Sequence, residues 1–492
     1  MLVGARTSVC SVASTTLDLD EGLRRFGFTS FRPGQREAID TLMSHGKLLL
    51  VAPTGGGKSL TYQLPASLLP GTTLVVSPLV ALMDDQVQAL ERLGVPATYL
   101  ASTLSGDEMH SRMSRLARGQ YKLAYVSPER LTFPGFRNLV SELNCPFIAI
   151  DEAHCISEWG HDFRPEYMRI AEFLEEMKAA RVLACTATAT PIVRDEILSR
   201  LRLRADTPQI LRGFARPNLS LRAVDTQGKK DRISQVDRLL STALGTPTQS
   251  TGTAIIYGPT RKSTEEEASR LVGRGWKASA YHAGLNPSVR EQVSRSFKED
   301  GLQVVVATNA FGMGIDRADV RAVIHLAPPG SIESYYQEVG RAGRDGEEAW
   351  GLMLSSASDL PRRRHLIERG SDGMEPSPQV VEHKWNLFLE MMRWAEGGSC
   401  RHDAILRYFG DDAESLDGCG RCDICLTLDQ QVDHDSDEVT LYVRKALSGV
   451  ARIHGRFGLR TSVLLLRGKS DNRLESAGLD QTKTFGVLGQ HS

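Results

Sequence analysis

At 492 residues the chain has room for about three domains of roughly 150 residues each. Its 59 Lys and Arg against 60 Asp and Glu leave a formal charge of −1, which excludes a global basic field, so nucleic-acid contact would have to be made in a local groove. No run of about 18 apolar residues occurs, which excludes an apolar spanning helix.

Residues 1–17 (MLVGARTSVCSVASTTL) are small and polar with one Arg, and read as a disordered leader rather than a signal peptide. From 18 to 207, short apolar runs at 48–52, 74–77, 123–127, 147–150 and 182–185 alternate with helix-length segments. Val/Ile/Leu-rich runs without polar alternation predict strands buried on both faces of a parallel sheet. The pattern repeats over 208–358, at 254–257, 304–308, 322–326 and 351–354, with a turn-rich loop at 245–252. The fold class is therefore α/β, with two parallel-sheet domains in tandem. A helical segment over 359–430 follows, with an amphipathic helix over 378–395 bearing Trp385, Phe388, Met391, Met392 and Trp394. An acidic stretch then opens the last segment, 431–492.

The first predicted strand runs into Pro53-Thr54-Gly55-Gly56-Gly57-Lys58-Ser59 and then a helix-compatible stretch. Strand, Gly-rich loop, Lys-Ser and helix form a cradle for polyphosphate: glycines let backbone N–H groups approach the phosphates, and the helix N-terminus adds a positive dipole end. Lys58 would neutralise the outer phosphates and the Ser59 hydroxyl would hold Mg²⁺. Ala52 stands where the pattern has its first Gly. The strand at 147–150 ends in Asp151-Glu152-Ala153-His154, supplying the carboxylates that phosphoryl transfer needs. Asp151 would bind Mg²⁺ through water and Glu152 would orient and deprotonate the attacking water, with His154 sensing the nucleotide. The two motifs together predict an NTPase.

Eight cysteines are present; Cys10, Cys145, Cys155 and Cys185 are isolated, whereas Cys400, Cys419, Cys422 and Cys425 cluster. Cys-x-x-Cys-x-x-Cys with a fourth thiol upstream is a closed tetrahedral Zn²⁺ set in a reducing compartment, expected to be structural because no position is left open. His402 is a possible substitute ligand.

This motif set resembles a superfamily-2 helicase, and in detail a RecQ-type DNA helicase. Phe26 to Gln35 (FGFTSFRPGQ) resembles that family's adenine-reading element, implying that Gln35 pairs with the adenine edge, Phe28 stacks on it and Arg32 assists. Val76-Ser77-Pro78-Leu79 through Asp85-Gln86, and Val126 to Leu131 (VSPERL), match the family's strand-tracking segments. Cys155 to Tyr167 (CISEWGHDFRPEY) looks like its aromatic-rich loop. The resemblance implies that Trp159, His161, Phe163 and Arg164 meet single-stranded DNA, and that Thr186 and Thr188 in Thr186-Ala187-Thr188-Ala189-Thr190, with His154, couple hydrolysis to strand movement.

Tyr281 to Leu285, Val306 to Asp316 and Gln337 to Gly346 match later motifs. They imply nucleotide contacts from Gly314, Asp316 and Gln337, and arginine fingers at Arg341 and Arg344. The resemblance spans roughly residues 20–430. It implies two RecA-like domains, a helical zinc-binding subdomain whose helix 401–409 bridges the first ligand to the rest, and a partial winged-helix segment. Within that segment 437–455 looks like a first helix, 461–467 like a strand and 480–489 like the approach to another helix. About 60 residues follow the zinc cluster, short for a full winged helix, so the segment from about 433 is expected to be loosely folded or to borrow a partner, or else to form a compact tail on the zinc module.

The function so implied is ATP-dependent 3′–5′ DNA unwinding in repair and recombination, with ATP, Mg²⁺ and Zn²⁺ as cofactors. Its partners would be single-stranded and forked DNA, with a single-strand-binding protein or recombination proteins by family analogy, no membrane, and a cytoplasmic location. The alternatives are a DNA-stimulated ATPase or DNA-binding fragment with weak unwinding, and an RNA helicase.

Overall fold

In the computed structural model the described residues are 17–53, 55–159, 163–178, 181–311, 317–370, 376–429, 436–453, 457 and 459–490. They form two compact units, 1–425 and 426–492. Thr54, His161, Gly314 and Asp316, four of the expected site residues, lie outside the described set.

The first sheet is parallel and has seven strands: β1 (Lys47–Val51), β2 (Thr73–Val76), β3 (Ala97–Leu100), β4 (Leu123–Val126), β5 (Ile148–Ile150), β6 (Val182–Thr186) and β7 (Gln209–Leu211), in the spatial order β3-β4-β2-β5-β6-β1-β7. Because β7 pairs with β1, this sheet reaches past the expected boundary at 207/208. The second sheet follows from β8 (Leu219–Asp225). A short antiparallel hairpin, β9 (Gly245–Thr246) with β10 (Gln249–Ser250), occupies the predicted loop. After it come β11 (Thr253–Tyr257), β12 (Ala278–Tyr281), β13 (Val304–Ala307), β14 (Val320–His325) and β15 (Ala349–Ser355), in the order β12-β13-β11-β14-β15-β8. Helices cover both faces of each sheet, which is why the central strands read as unbroken apolar runs.

This topology sets the site. β1, β6 and β5 are neighbours, and parallel pairing aligns Val51 with Thr186 and Ile150 with Ala184, so three consecutive loops leave the same edge. Ligands of open parallel sheets bind at that carboxyl edge. The turn into β2 is tight: Gly71 has φ +96° and Thr72 N–H donates to the Asn144 carbonyl (2.9 Å).

The region that leads into the four-cysteine cluster is helical, with helices Asp359–Arg369, Pro378–Glu396 and Arg401–Phe409. In the second unit, helices Ser436–Ile453, Leu459–Arg467 and Asn472–Ser476 close on Ile453, Leu465, Leu474 and Leu479. The strand expected at 461–467 is thus a helix. Its run of three leucines is a strong helix former, Leu465 and Leu466 are buried, and Leu466 packs against Gly449 so closely that a Cβ there would meet its Cδ2 at 2.6 Å. Rather than being loosely folded, the unit has its own small core. Helix Ser436–Ile453 nevertheless leaves Leu441, Val443 and Leu447 exposed.

Gly71→Ala should lower the first thermal unfolding transition by several degrees, because a Cβ at φ +96° would overlap the Asn144 carbonyl oxygen. Calorimetry of the purified chain measures this, at a cost of about 1–2 kcal/mol from the left-handed backbone alone.

Candidate active site at the seam of two sheets

The loop after β1 has the local geometry that its glycines predict. Gly55 (φ +82°) and Gly57 (φ +78°) are left-handed, Gly57 caps helix Lys58–Leu68, and Lys58 Nζ donates to the Ala52 carbonyl at 3.0 Å across the turn. Gln35, 6% exposed, is seated on this loop: its amide nitrogen donates to the carbonyls of Gly57 (3.1 Å) and Gly56 (3.4 Å), and its amide oxygen accepts from Arg32 N–H (2.8 Å). Arg32 itself donates to the Gly55 carbonyl. Phe28 is 49% exposed nearby in sequence, an open aromatic face.

A third cation comes from the other sheet. Arg344 Nε lies 3.2 Å from where a Cβ on Gly55 would sit, so the bare glycine lets a second-lobe guanidinium rest on the first-lobe loop. Lys58, Arg32 and Arg344 therefore surround one loop whose backbone turns outward, a set that fits a polyphosphate.

At the tip of β5, Asp151 N–H donates to the Val76 carbonyl (2.8 Å) and its carboxylate accepts from Glu152 N–H (3.0 Å). Burial raises the Asp151 carboxyl to about 6; the Glu152 charge adds to the rise and the Lys58 ammonium opposes it. Glu152 sits in the left-handed region (φ 48°), which curls its carboxylate back toward His154 Nδ1 at 3.2 Å. A buried acid at the tip of β5 and a hydroxyl-bearing helix start at Ser59, both at the carboxyl edge of this sheet, are donor types that suit a hard divalent ion.

His154 Nδ1 also lies 2.8 Å from Thr186 Oγ1, which accepts from Thr188 N–H (3.3 Å), and Gln337 Nε2 of the second lobe donates to Thr188 Oγ1 at 3.1 Å. The acidic box, the Thr186–Thr188 segment and Gln337 thus form one polar chain across the seam. Gln337, expected at the nucleotide, is here a partner of Thr188. Arg341 is buried in the same loop system as Arg344.

The aromatic residues after the acidic box are not core. Trp159 is 55% and Phe163 38% exposed. Trp159 meets His383 of helix Pro378–Glu396 edge-on, with ring centroids 5.1 Å apart. Arg164 donates to the Pro78 carbonyl (3.2 Å), tying this loop to the segment after β2. In the second lobe a cavity of about 230 Å³ at the carboxyl ends of β11, β13 and β14 is lined by Gly258, Thr308, Asn309, Arg362 and Arg363 among others.

The ligand sulfurs of Cys400, Cys419, Cys422 and Cys425 all lie within 4.8 Å of one another. Backbone N–H groups of Cys419, Arg401, Cys422 and Cys425 donate to sulfurs of Cys400 (3.3 Å), Cys422 (3.5 Å), Cys419 (3.3 Å) and Cys422 (3.4 Å). Such donors favour thiolate, so the four residues fit Zn²⁺. His402 is not a ligand: it is buried and its Nε2 donates to the Leu219 carbonyl (3.0 Å), pinning the module to β8.

Sequence reasoning missed the residues that hold the seam. Arg216, Asn218 and Glu414 bind backbone rather than anything catalytic, and no motif marks them; their roles are visible only once the linker between the sheets is traced.

Four family models match the chain: DEAD/DEAH box helicase over residues 32–196, helicase conserved C-terminal domain over 231–346, RecQ zinc-binding over 357–426 and RQC domain over 434–492. The ATP-dependent DNA helicase RecQ of Bacillus subtilis is 39% identical over 469 residues, covering 95% of this chain and 76% of that protein. That of Pasteurella multocida is 41% identical over 465 residues, covering 94% and 70%. Among solved structures, the DEAD-box helicase Mss116 aligns with a TM-score of 0.58 at 17% identity, covering 82% of this chain and 91% of that one, a likeness of fold. Four family models in this order and 39–41% identity along nearly the whole chain make it a member of the RecQ family of ATP-dependent DNA helicases.

Proposed function

We infer that this chain hydrolyses ATP between its two lobes and uses the resulting opening and closing to move 3′ to 5′ along one DNA strand, unwinding duplex in repair and recombination. The observation that carries this reading is Arg344 of the second lobe lying against Gly55 of the first. A cation borne on one lobe and a phosphate loop on the other make closure depend on what lies between them.

Lys58 and Arg32 hold the polyphosphate, with Gly55, Gly56 and Gly57 exposing the backbone; Thr54 belongs to the same loop. Phe28 offers a stacking face for the base, and Gln35 links base recognition to the loop it already grips. Ser59 and Asp151 would hold Mg²⁺, which neutralises phosphate charge when bound. Glu152 orients the attacking water and accepts its proton, while Arg341 and Arg344 meet the charge that develops as the bond to the γ-phosphate breaks. A finger of this kind is worth about 10³–10⁵ in rate. His154, Thr186, Thr188 and Gln337 relay the state of the acidic box to the second lobe.

Trp159 and Phe163 stack on bases at about 1–3 kcal/mol each. Arg164 and the second-lobe cavity meet phosphate, so binding weakens steeply with salt although the chain as a whole is nearly neutral. Zn²⁺ on the four cysteines is structural. Forked DNA, a single-strand-binding protein or recombination proteins in the cytosol complete the setting; among the described residues no helix is long and apolar enough to cross a membrane.

Lys58→Ala is expected to reduce DNA-stimulated ATP turnover by at least about 100-fold, as loss of a preorganised charge contact does; turnover near wild type contradicts the phosphate-loop assignment. Trp159→Ala should leave nucleotide affinity intact yet remove the stimulation of hydrolysis by single-stranded DNA. An unchanged stimulated rate counts against the aromatic loop, and stimulation by RNA but not DNA counts against the DNA reading as a whole.

A further inference from the structure

The linker between β7 and β8 is neither a free tether nor part of either sheet. Glu414, in the turn after helix Arg401–Phe409, takes both of its carboxylate oxygens to this linker: Oε1 accepts from Gly213 N–H (2.7 Å) and Oε2 from Ala215 N–H (2.9 Å). The carbonyl of Phe214, between them, accepts from the Tyr336 hydroxyl (3.0 Å). The Phe214 ring packs between Tyr336 and Phe409, at centroid distances of 5.5 and 4.9 Å. Two ionic N–H contacts and a buried aromatic stack leave the linker little freedom to twist.

Two residues farther along, the same strand of backbone reaches the arginine loop. Arg216 donates to the carbonyls of Gly340 (3.2 Å), Ala342 (2.7 Å) and Gly343 (3.1 Å), and Asn218 Nδ2 donates to those of Gly343 (2.8 Å) and Glu347 (2.9 Å). These five bonds enclose the backbone from which Arg341 and Arg344 project. Gly343 (φ +59°) is required there, since a Cβ would run into Asn218. Arg216 is half-buried, and its removal from water lowers its pKa, with the charges of Arg344 and Arg32 acting in the same direction. It spends its planar fork on carbonyls that a lysine could not span together.

We propose that Arg216 is a positioning residue for ATP hydrolysis. It holds the 340–344 loop so that Arg341 and Arg344 face the phosphate loop, and Glu414 of the zinc module fixes the linker from which Arg216 acts. The inference rests on the reading of Arg341 and Arg344 given above. It adds that the zinc module reaches the chemistry through two successive sets of backbone hydrogen bonds, and so sets turnover as well as stability.

The test uses the full chain and separates turnover from binding. Arg216→Ala and Glu414→Ala should each lower DNA-stimulated kcat by at least about tenfold, the scale expected when a catalytic group is misplaced rather than removed. Affinity for a fluorescent ATP analogue should stay within about threefold of wild type and zinc content should be unchanged, with any fall in melting temperature limited to about the few degrees that lost hydrogen bonds cost. Arg216→Lys should not restore turnover, whereas Glu414→Gln, which keeps one acceptor, should restore part of it. The triple variant Arg216→Ala/Arg341→Ala/Arg344→Ala should be no slower than Arg341→Ala/Arg344→Ala, because Arg216 acts through those two arginines. Wild-type kcat in Arg216→Ala with a slow Arg341→Ala/Arg344→Ala, or a further loss when Arg216→Ala is added to that pair, overturns the proposal while leaving the arginine assignment standing. Wild-type turnover in both Arg341→Ala and Arg344→Ala overturns that assignment and this proposal with it.

Discussion

Lys58, Arg32 and Arg344 bring three cations to one glycine loop, and like charges brought together repel unless something negative lies among them. One of the three belongs to a different sheet, so that repulsion acts between lobes and not merely within a site. On the function proposed above, a triphosphate would convert it to attraction, and release of the cleaved phosphate would weaken the attraction again. On that reading the same electrostatics would both recognise the fuel and bias the lobes toward closure.

Moving lobes do useful work only if the hydrolytic carboxylates register the state of the seam. The path from Glu152 through His154 and Thr186 to Thr188 and then to Gln337 is short and made of buried or half-buried polar groups. Buried hydrogen bonds are costly to leave unmade, so a shift at either end is felt along it. The backbone at Glu152, held in the left-handed region, is the local price of turning one carboxylate away from its neighbour Asp151.

How much of this was legible in sequence follows the chemistry of burial. The nine strands read from apolar runs are the interior ones. Of the six that escaped, β9 and β10 are a hairpin of two residues a side, and β3, β7, β8 and β12 are the edges of the two parallel sheets, where Thr98, Gln209, Ser220 and Ser279 dilute the pattern. The phosphate loop, acidic box and thiol cluster were legible because their chemistry demands particular residues at fixed spacing. Arg216 and Glu414 were not, because a side chain that grips backbone leaves no signature in the residues it grips. The run 461–467 was misread because a short continuous apolar stretch fits a strand or a buried helix equally well, and only its packing on Gly449 decides.

Of the chain's five tryptophans, Trp159 is the one exposed enough to meet a base, and its indole stands edge-on to the imidazole of His383. Indole emission responds to what lies against the ring, so a nucleobase stacked on Trp159 would alter it. If Trp159 meets DNA as proposed, its share of the emission of the five tryptophans would change as the polymer enters and leaves, an intrinsic signal that needs no label.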